Sequence, residues 1–194
     1  MPTPIAHSLV GFIISSVSPY GRVFENNLLN FFLIIFVSVL PDLDLLPGMI
    51  SGVMFKYHHG ITHSFFAALV ISFLLSFIIY IFQKKNILSH TFLFTIIYSL
   101  HIIFDLFGYD DGRLNGIGMP IFFPFNSDRY ISTVIIFNGD LFKDGNVTLH
   151  SLLRYTNLNL IITEILSALL VGILLVTAVN FLKNGRLLNA RKYE

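Results

Sequence analysis

Two stretches, Ser64 to Phe82 and Leu158 to Leu182, are apolar along their whole length but for small or amide side chains, one Tyr and Glu164. A helix needs ~20 such residues to cross a hydrocarbon layer ~30 Å thick, so each is long enough to span a membrane. Two more come close. Leu88 to Phe107 is interrupted by His90, His101 and Asp105, and Leu28 to Leu40 is short but extends into its polar flanks. Pro4 to Val17 is a fifth apolar segment, too short to span upright. It lacks the basic residues that precede the apolar core of a cleavable signal peptide, and is expected to be a helix built into the bundle. Hydrophobic residues make up 55% of the chain and charged ones 12%, outside the range of soluble domains. The expected fold is all-α: one polytopic membrane bundle of about four to five helices over residues 1–194, surrounded by membrane lipids. Residues 108–157 form its extramembrane loop, in which Ile131 to Phe137 reads as a short strand or a membrane-surface segment.

The loop charges orient the bundle. Lys and Arg in short loops mark the cytoplasmic side, and they fall at Arg22, at Lys84 and Lys85, and in the tail from Lys183. With these inside, the five segments alternate. His7, Asp42, Asp44, the His58–His63 stretch, His101 and Asp105 then all reach the non-cytoplasmic face, although none of them entered the orientation argument. The net charge of +1, with no basic tract able to track phosphates, argues against nucleic acid as a partner.

Ionisable groups at membrane depth are costly, so a chain that keeps several there is expected to use them. His101 and Asp105 are four residues apart and share one helix face, with Tyr98 one turn earlier. Three imidazoles lie within six residues at His58, His59 and His63. Thr62 is expected to cap the following helix and to put His63 in its first turn, where the positive helix end favours a neutral imidazole. Pro41 is expected to stop the second helix, leaving Asp42 and Asp44 as hard oxygen donors. His7 follows Thr3-Pro4, a cap and a favoured first-turn residue, and so opens the first helix. Glu164 is a second-rank candidate one or two turns into the last span. Arg113 and Arg129 are candidates for binding an anionic substrate, whereas His90 and His150 read as structural or surface residues. The chain has no cysteine, so any metal must be held by imidazole and carboxylate.

Taken together, Ala6-His7-Ser8-Leu9, Leu40-Pro41-Asp42-Leu43-Asp44, His58-His59-Gly60-Ile61-Thr62-His63-Ser64, His101-Ile102-Ile103-Phe104-Asp105 and the Pro-aromatic run from Gly118 to Pro124 resemble the YdjM-like family of inner-membrane metal-dependent hydrolases. The family pattern has arginine after its first histidine of the third motif, where this chain has His59. The resemblance therefore implies His7, Asp42, His58, His63, His101 and Asp105 as metal ligands, with His59 either behind the ligands or facing the substrate as a catalytic candidate. Plain helical spacing instead pairs His59 with His63, and both assignments stand at this point. The order of ligands is also similar, more distantly, to that of zinc-dependent phospholipases C.

The expected activity is hydrolysis of a phosphoester or lipid-linked substrate at a divalent metal, zinc before manganese or magnesium. Seven nitrogen and oxygen donors exceed what one tetrahedral zinc uses, so the expected site holds one ion or, more naturally, two, with Asp44 as the base. The alternative is a non-enzymatic membrane protein, either a metal or proton transporter or a structural bundle with a bound ion. A transporter places ionisable groups near the midplane, whereas these cluster at one face.

Overall fold

A computed structural model of the protein describes residues 2–53, 55–84, 86–110, 115–137 and 155–190. Five long helices carry the fold. They are α1 (Pro4–Val17), α2 (Asn27–Val39), α4 (Phe65–Gln83), α5 (Ile87–Leu106) and α6 (Tyr155–Ala190), with a short α3 (Leu45–Ile50) following α2. In lipid the backbone cannot bond to water, so each span satisfies its own N–H and C=O groups as a helix. Asn27–Ile50, Phe65–Gln83, Ile87–Leu106 and Leu158–Phe181 are long and apolar enough to cross a membrane, and Pro4–Val17 is not.

Four of the helices start where a short polar side chain can take a free N–H. Thr3 accepts from Ala6 ahead of α1, Asn26 from Leu28 and Leu29 ahead of α2, and Asn86 from Ser89 ahead of α5. Before α4 the cap is Ser64, whose Oγ accepts from Ala67 N at 3.1 Å, and not Thr62. Thr62 is drawn elsewhere, to Asp44, and His63 consequently lies in a 3-10 turn (Ile61–His63) ahead of the helix. Pro41 ends α2 as expected: the α-helix stops at Val39, and Pro41 sits in the first turn of a 3-10 element (Leu40–Asp44) that leads on into α3, a place where its missing N–H has no helical partner anyway.

Lipid tails are as apolar as leucine, so the helices associate through close packing of small residues more than through the hydrophobic effect. A Cβ on Gly11 of α1 would overlap Ser38 Oγ of α2, and one on Gly172 of α6 would overlap Ile13 of α1. Ala68, Ser72 and Ser76 form the buried stripe of α4 where it packs in a hairpin against α5. Three buried clusters stack along the bundle. Ile34, Val37 and Phe94 join α2 to α5, and Ala68, Tyr98 and Met119 join α4 and α5 to the segment beyond α5. Ala6, Phe104, Phe137 and Ala168 join α1, α5 and α6. Among the described residues there is no strand. The Ile131–Phe137 run makes only an isolated bridge, Phe137 to Gly108, and Tyr130 makes another to Met119.

Candidate metal centre

Four elements meet at one end of the bundle: the first turn of α1, the turn after α2, the loop before α4 and the last turns of α5. They bring His7, Asp42, Asp44, His58, His59, His63, His101 and Asp105 together. Asp105 lies at the middle. His101 Nε2 is 3.0 Å and His63 Nε2 3.3 Å from its Oδ2, and His7 Nε2 is 3.5 Å from its Oδ1. His59 Nε2 is 3.8 Å from Asp105 Oδ2. Asp42 faces the same rings, with its Oδ1 3.3 Å from His101 Nε2, 3.8 Å from His63 Nε2 and 3.9 Å from His58 Nε2.

A second layer sets the direction of each ring. Asp44 Oδ1 takes His58 Nδ1 at 2.7 Å, and its Oδ2 takes the Thr62 hydroxyl at 2.7 Å and His63 Nδ1 at 3.1 Å. His101 Nδ1 donates to the carbonyl of Ser38 at 2.7 Å. With Nδ1 engaged, the Nε2 atoms of these three rings are left to face Asp42 and Asp105. The Tyr98 hydroxyl donates to Thr62 O at 2.8 Å and ties α5 to the histidine loop.

Buried polar atoms are ordinarily hydrogen-bonded. Here the Nε2 atoms of His63 and His101, both ring nitrogens of His7 and His59 and all four oxygens of Asp42 and Asp105 are buried without a hydrogen bond. They approach one another closely but not at hydrogen-bonding angles, which is how donors arranged round a common ion sit. Asp42, His63, His101 and Asp105 each offer one atom within 4.8 Å of the others, and His58, His59 and His63 do the same. His63 belongs to both groups. The donor set is imidazole nitrogen and carboxylate oxygen only, so a divalent metal fits these residues.

His59 has φ of 55°, in the left-handed region that costs a non-glycine residue about 1–2 kcal/mol. Burial holds its imidazole down to about 4, against a weaker upward pull from Asp110, whose Oδ2 is 3.9 Å from Nδ1. For His63 burial pushes the same way, but the neighbouring carboxylates Asp105, Asp42 and Asp44 outweigh it and raise it well above the ordinary value.

The remaining candidates sit differently. Arg129 donates to the carbonyls of Gly118 at 2.6 Å, Ile117 at 3.2 Å and His59 at 3.3 Å, and so clamps the segment beyond α5 to the histidine loop. Glu164 Oε2 accepts from Thr3 N at 2.8 Å and anchors the start of α1. Arg113 and His150 lie outside the described residues, and His90 is buried towards the other end, stacked on Phe94. Three participants escaped the sequence. The Ser38 carbonyl and the hydroxyl role of Thr62 have no motif, whereas Asp110, which accepts from Gly118 N at 2.8 Å, had one usable signal in being an acid just past the His101–Asp105 helix.

The family model described as YdjM inner membrane protein matches residues 1–183. Neither the curated proteins nor the solved structures give a match. With membrane-spanning helices, a His/Asp cluster at one end and a family match over almost its whole length, the chain belongs to the YdjM inner membrane protein family.

Proposed function

We propose that the protein is a membrane-bound, metal-dependent hydrolase acting on phosphoesters, with lipid-linked phosphoesters as the class its setting favours. One observation carries this reading: the unpartnered Nε2 atoms and carboxylate oxygens of His7, Asp42, His63, His101 and Asp105, gathered from four elements and buried together. Asp42, His63, His101 and Asp105 would hold a first ion, zinc by preference, and His58 with His63 borders the position of a second. A divalent ion in such a site supplies a Lewis acid for a phosphoryl oxygen and makes water acidic enough to attack near neutral pH.

The chain's own groups divide the remaining work. Asp44 has both oxygens committed to His58, Thr62 and His63, which supports an orienting role for it ahead of the base role expected from sequence. His59, with neither ring nitrogen hydrogen-bonded, has Nε2 free to receive a proton. Arg129 meets three carbonyls, which supports a positioning role ahead of substrate binding. Arg22 and Lys84 lie at the opposite helix ends from the cluster, which supports a non-cytoplasmic location for the centre.

A second reading, a non-enzymatic bundle stabilised by its ion, is favoured by the complete burial of these donor atoms. Metal analysis of the detergent-purified parent, His63→Ala and Asp105→Asn, with phosphoester and lipid phosphoester assays on each, decides between them. The hydrolase reading expects bound metal and turnover in the parent and loss of both in the variants. Undiminished metal in both variants defeats the site, and metal loss without turnover on any substrate passes the case to the second reading.

A further inference from the structure

The segment that covers the metal centre from beyond α5 exposes large apolar side chains although it lies outside the four spans. Phe125 is 85% exposed, and Val134 and Ile136 are exposed as well. Contiguous exposed apolar surface of this kind marks a contact site. Its attachments fix its level in the bundle. The Phe125 ring stands edge-on to Phe66, 5.9 Å away, and Phe66 is an exposed residue in the first turn of α4. Ser132 N donates to Leu106 O at 3.1 Å and Ile136 N to Phe107 O at 2.9 Å, so the strip runs beside the last turn of α5. At the same end of the bundle, α3 closes the Asn27–Ile50 span and with the turn after it exposes a second apolar strip. Met49 and Val53 are exposed and Ile50 is 89% exposed. Close by, the Lys56 ammonium lies 5.2 Å from the centre of the exposed Tyr57 ring, a pairing of side-chain types that suits the headgroup layer.

We propose that residues 122–136 together with Met49–Val53 form an apolar collar seated in the boundary between headgroups and acyl chains, with bilayer lipid as its occupant. Lipid is favoured because the collar is continuous, through the Phe125–Phe66 contact, with the exposed apolar face of α4, which lipid already covers, and because Lys and Tyr flank it at the level where spans emerge. The collar is an independent property of the fold, and its failure would leave the metal chemistry untouched. Its consequence is a depth: the donors enclosed by the collar lie level with lipid headgroups.

The chain contains no tryptophan, so single reporters can be placed at will. Phe125→Trp and Ile50→Trp replace residues that touch little, and Phe73→Trp in the middle of α4 serves as the deep reference. Each is reconstituted into phosphatidylcholine vesicles brominated either near the headgroup or near the chain end, and iodide is added from the water. The collar reporters are expected to emit to the blue of free tryptophan and to be quenched several-fold more by shallow bromine than by deep bromine or iodide. Phe73→Trp should show the reverse preference among lipids. Strong iodide quenching at both collar positions would place them in water and overturn the proposal. Protection from bromine and iodide alike would mean that protein covers the surface, a second copy or another partner, and would overturn it too. Two positions keep the test open if one variant fails to fold.

Discussion

His7 of α1 lies stacked on His101 of α5, with ring centroids 3.7 Å apart and 19° between the planes. The stack pins the first turn of one helix to the last turns of another and turns both Nε2 atoms towards the single carboxylate of Asp105. Residues far apart in the chain therefore form one centre because the helices alternate in direction and begin and end at a common level. The rings are positioned by their neighbours, and the neighbours make the most informative targets.

Asp44→Asn keeps the size of the side chain but removes the charge that holds two Nδ1–H groups and the Thr62 hydroxyl. Outer carboxylates of this kind typically contribute about 10- to 100-fold to metal affinity, and a loss of that size is expected. Zinc titration against a competing chelator reads it. Unchanged affinity would contradict the orienting role, and lost turnover at unchanged affinity would return Asp44 to the part of base.

Arg129→Lys keeps the positive charge and loses the planar fork that reaches Ile117, Gly118 and His59 at once. Hydrogen bonds from a charged group are worth about 1.5–3 kcal/mol each when well made, so the clamp on the histidine loop should loosen. Hydrogen exchange should accelerate at the Met119 and Tyr130 amides, which are paired with each other across the segment that Arg129 holds. If Arg129 serves only to bind substrate, exchange there will be that of the parent.

Gly11→Ala sets two effects against each other. In a free helix alanine is favoured by about 0.8–1 kcal/mol, but here its Cβ would meet Ser38 Oγ, and overpacking of that sort costs about 1–3 kcal/mol. The clash is expected to win, lowering the melting temperature and weakening metal binding, because the Ser38 carbonyl holds His101. Adding Ser38→Ala removes the obstructing oxygen and leaves that carbonyl, so the double variant should recover both. Failure to recover would mean that α1 and α2 are not in contact there.

The spans were legible because length and hydropathy answer directly to a hydrocarbon layer of fixed thickness. The segment at Pro4–Val17 was legible to the residue, since Thr3 and Pro4 mark its start and Ser18-Pro19 follows its end. Less legible were choices between near neighbours. Either Thr62 or Ser64 satisfies the chemistry of a cap, and only the approach of Asp44 from another element commits the threonine elsewhere. Pro41 marks the end of α2 correctly, but nothing in the sequence shows that the chain then tightens into a 3-10 turn and goes on into α3. The Ser38 carbonyl was beyond sequence altogether, because every residue has a carbonyl and only packing selects one. Glu164 carried the right chemistry for a ligand, but its oxygen meets the Thr3 amide first.

Chelation tests the centre as a whole. An ion that binds only the folded chain stabilises it by about 2.7 kcal/mol when present at a hundred times its dissociation constant, so stripping it should lower the melting temperature measurably. The size of the drop should depend on pH in a definite direction. His63 is raised well above its ordinary value by Asp105, Asp42 and Asp44, which overcome its burial. In the stripped protein the stabilisation from this raised group is complete below the unfolded value and fades as pH rises through the folded one. The metal-bound protein behaves oppositely, since protons compete with the ion for imidazole nitrogen and release it in acid. As pH rises from the ordinary histidine value towards the raised one, therefore, the interval between bound and stripped melting curves should widen. An interval that narrows over this range would mean that His63 is not one of the residues the ion shares with protons.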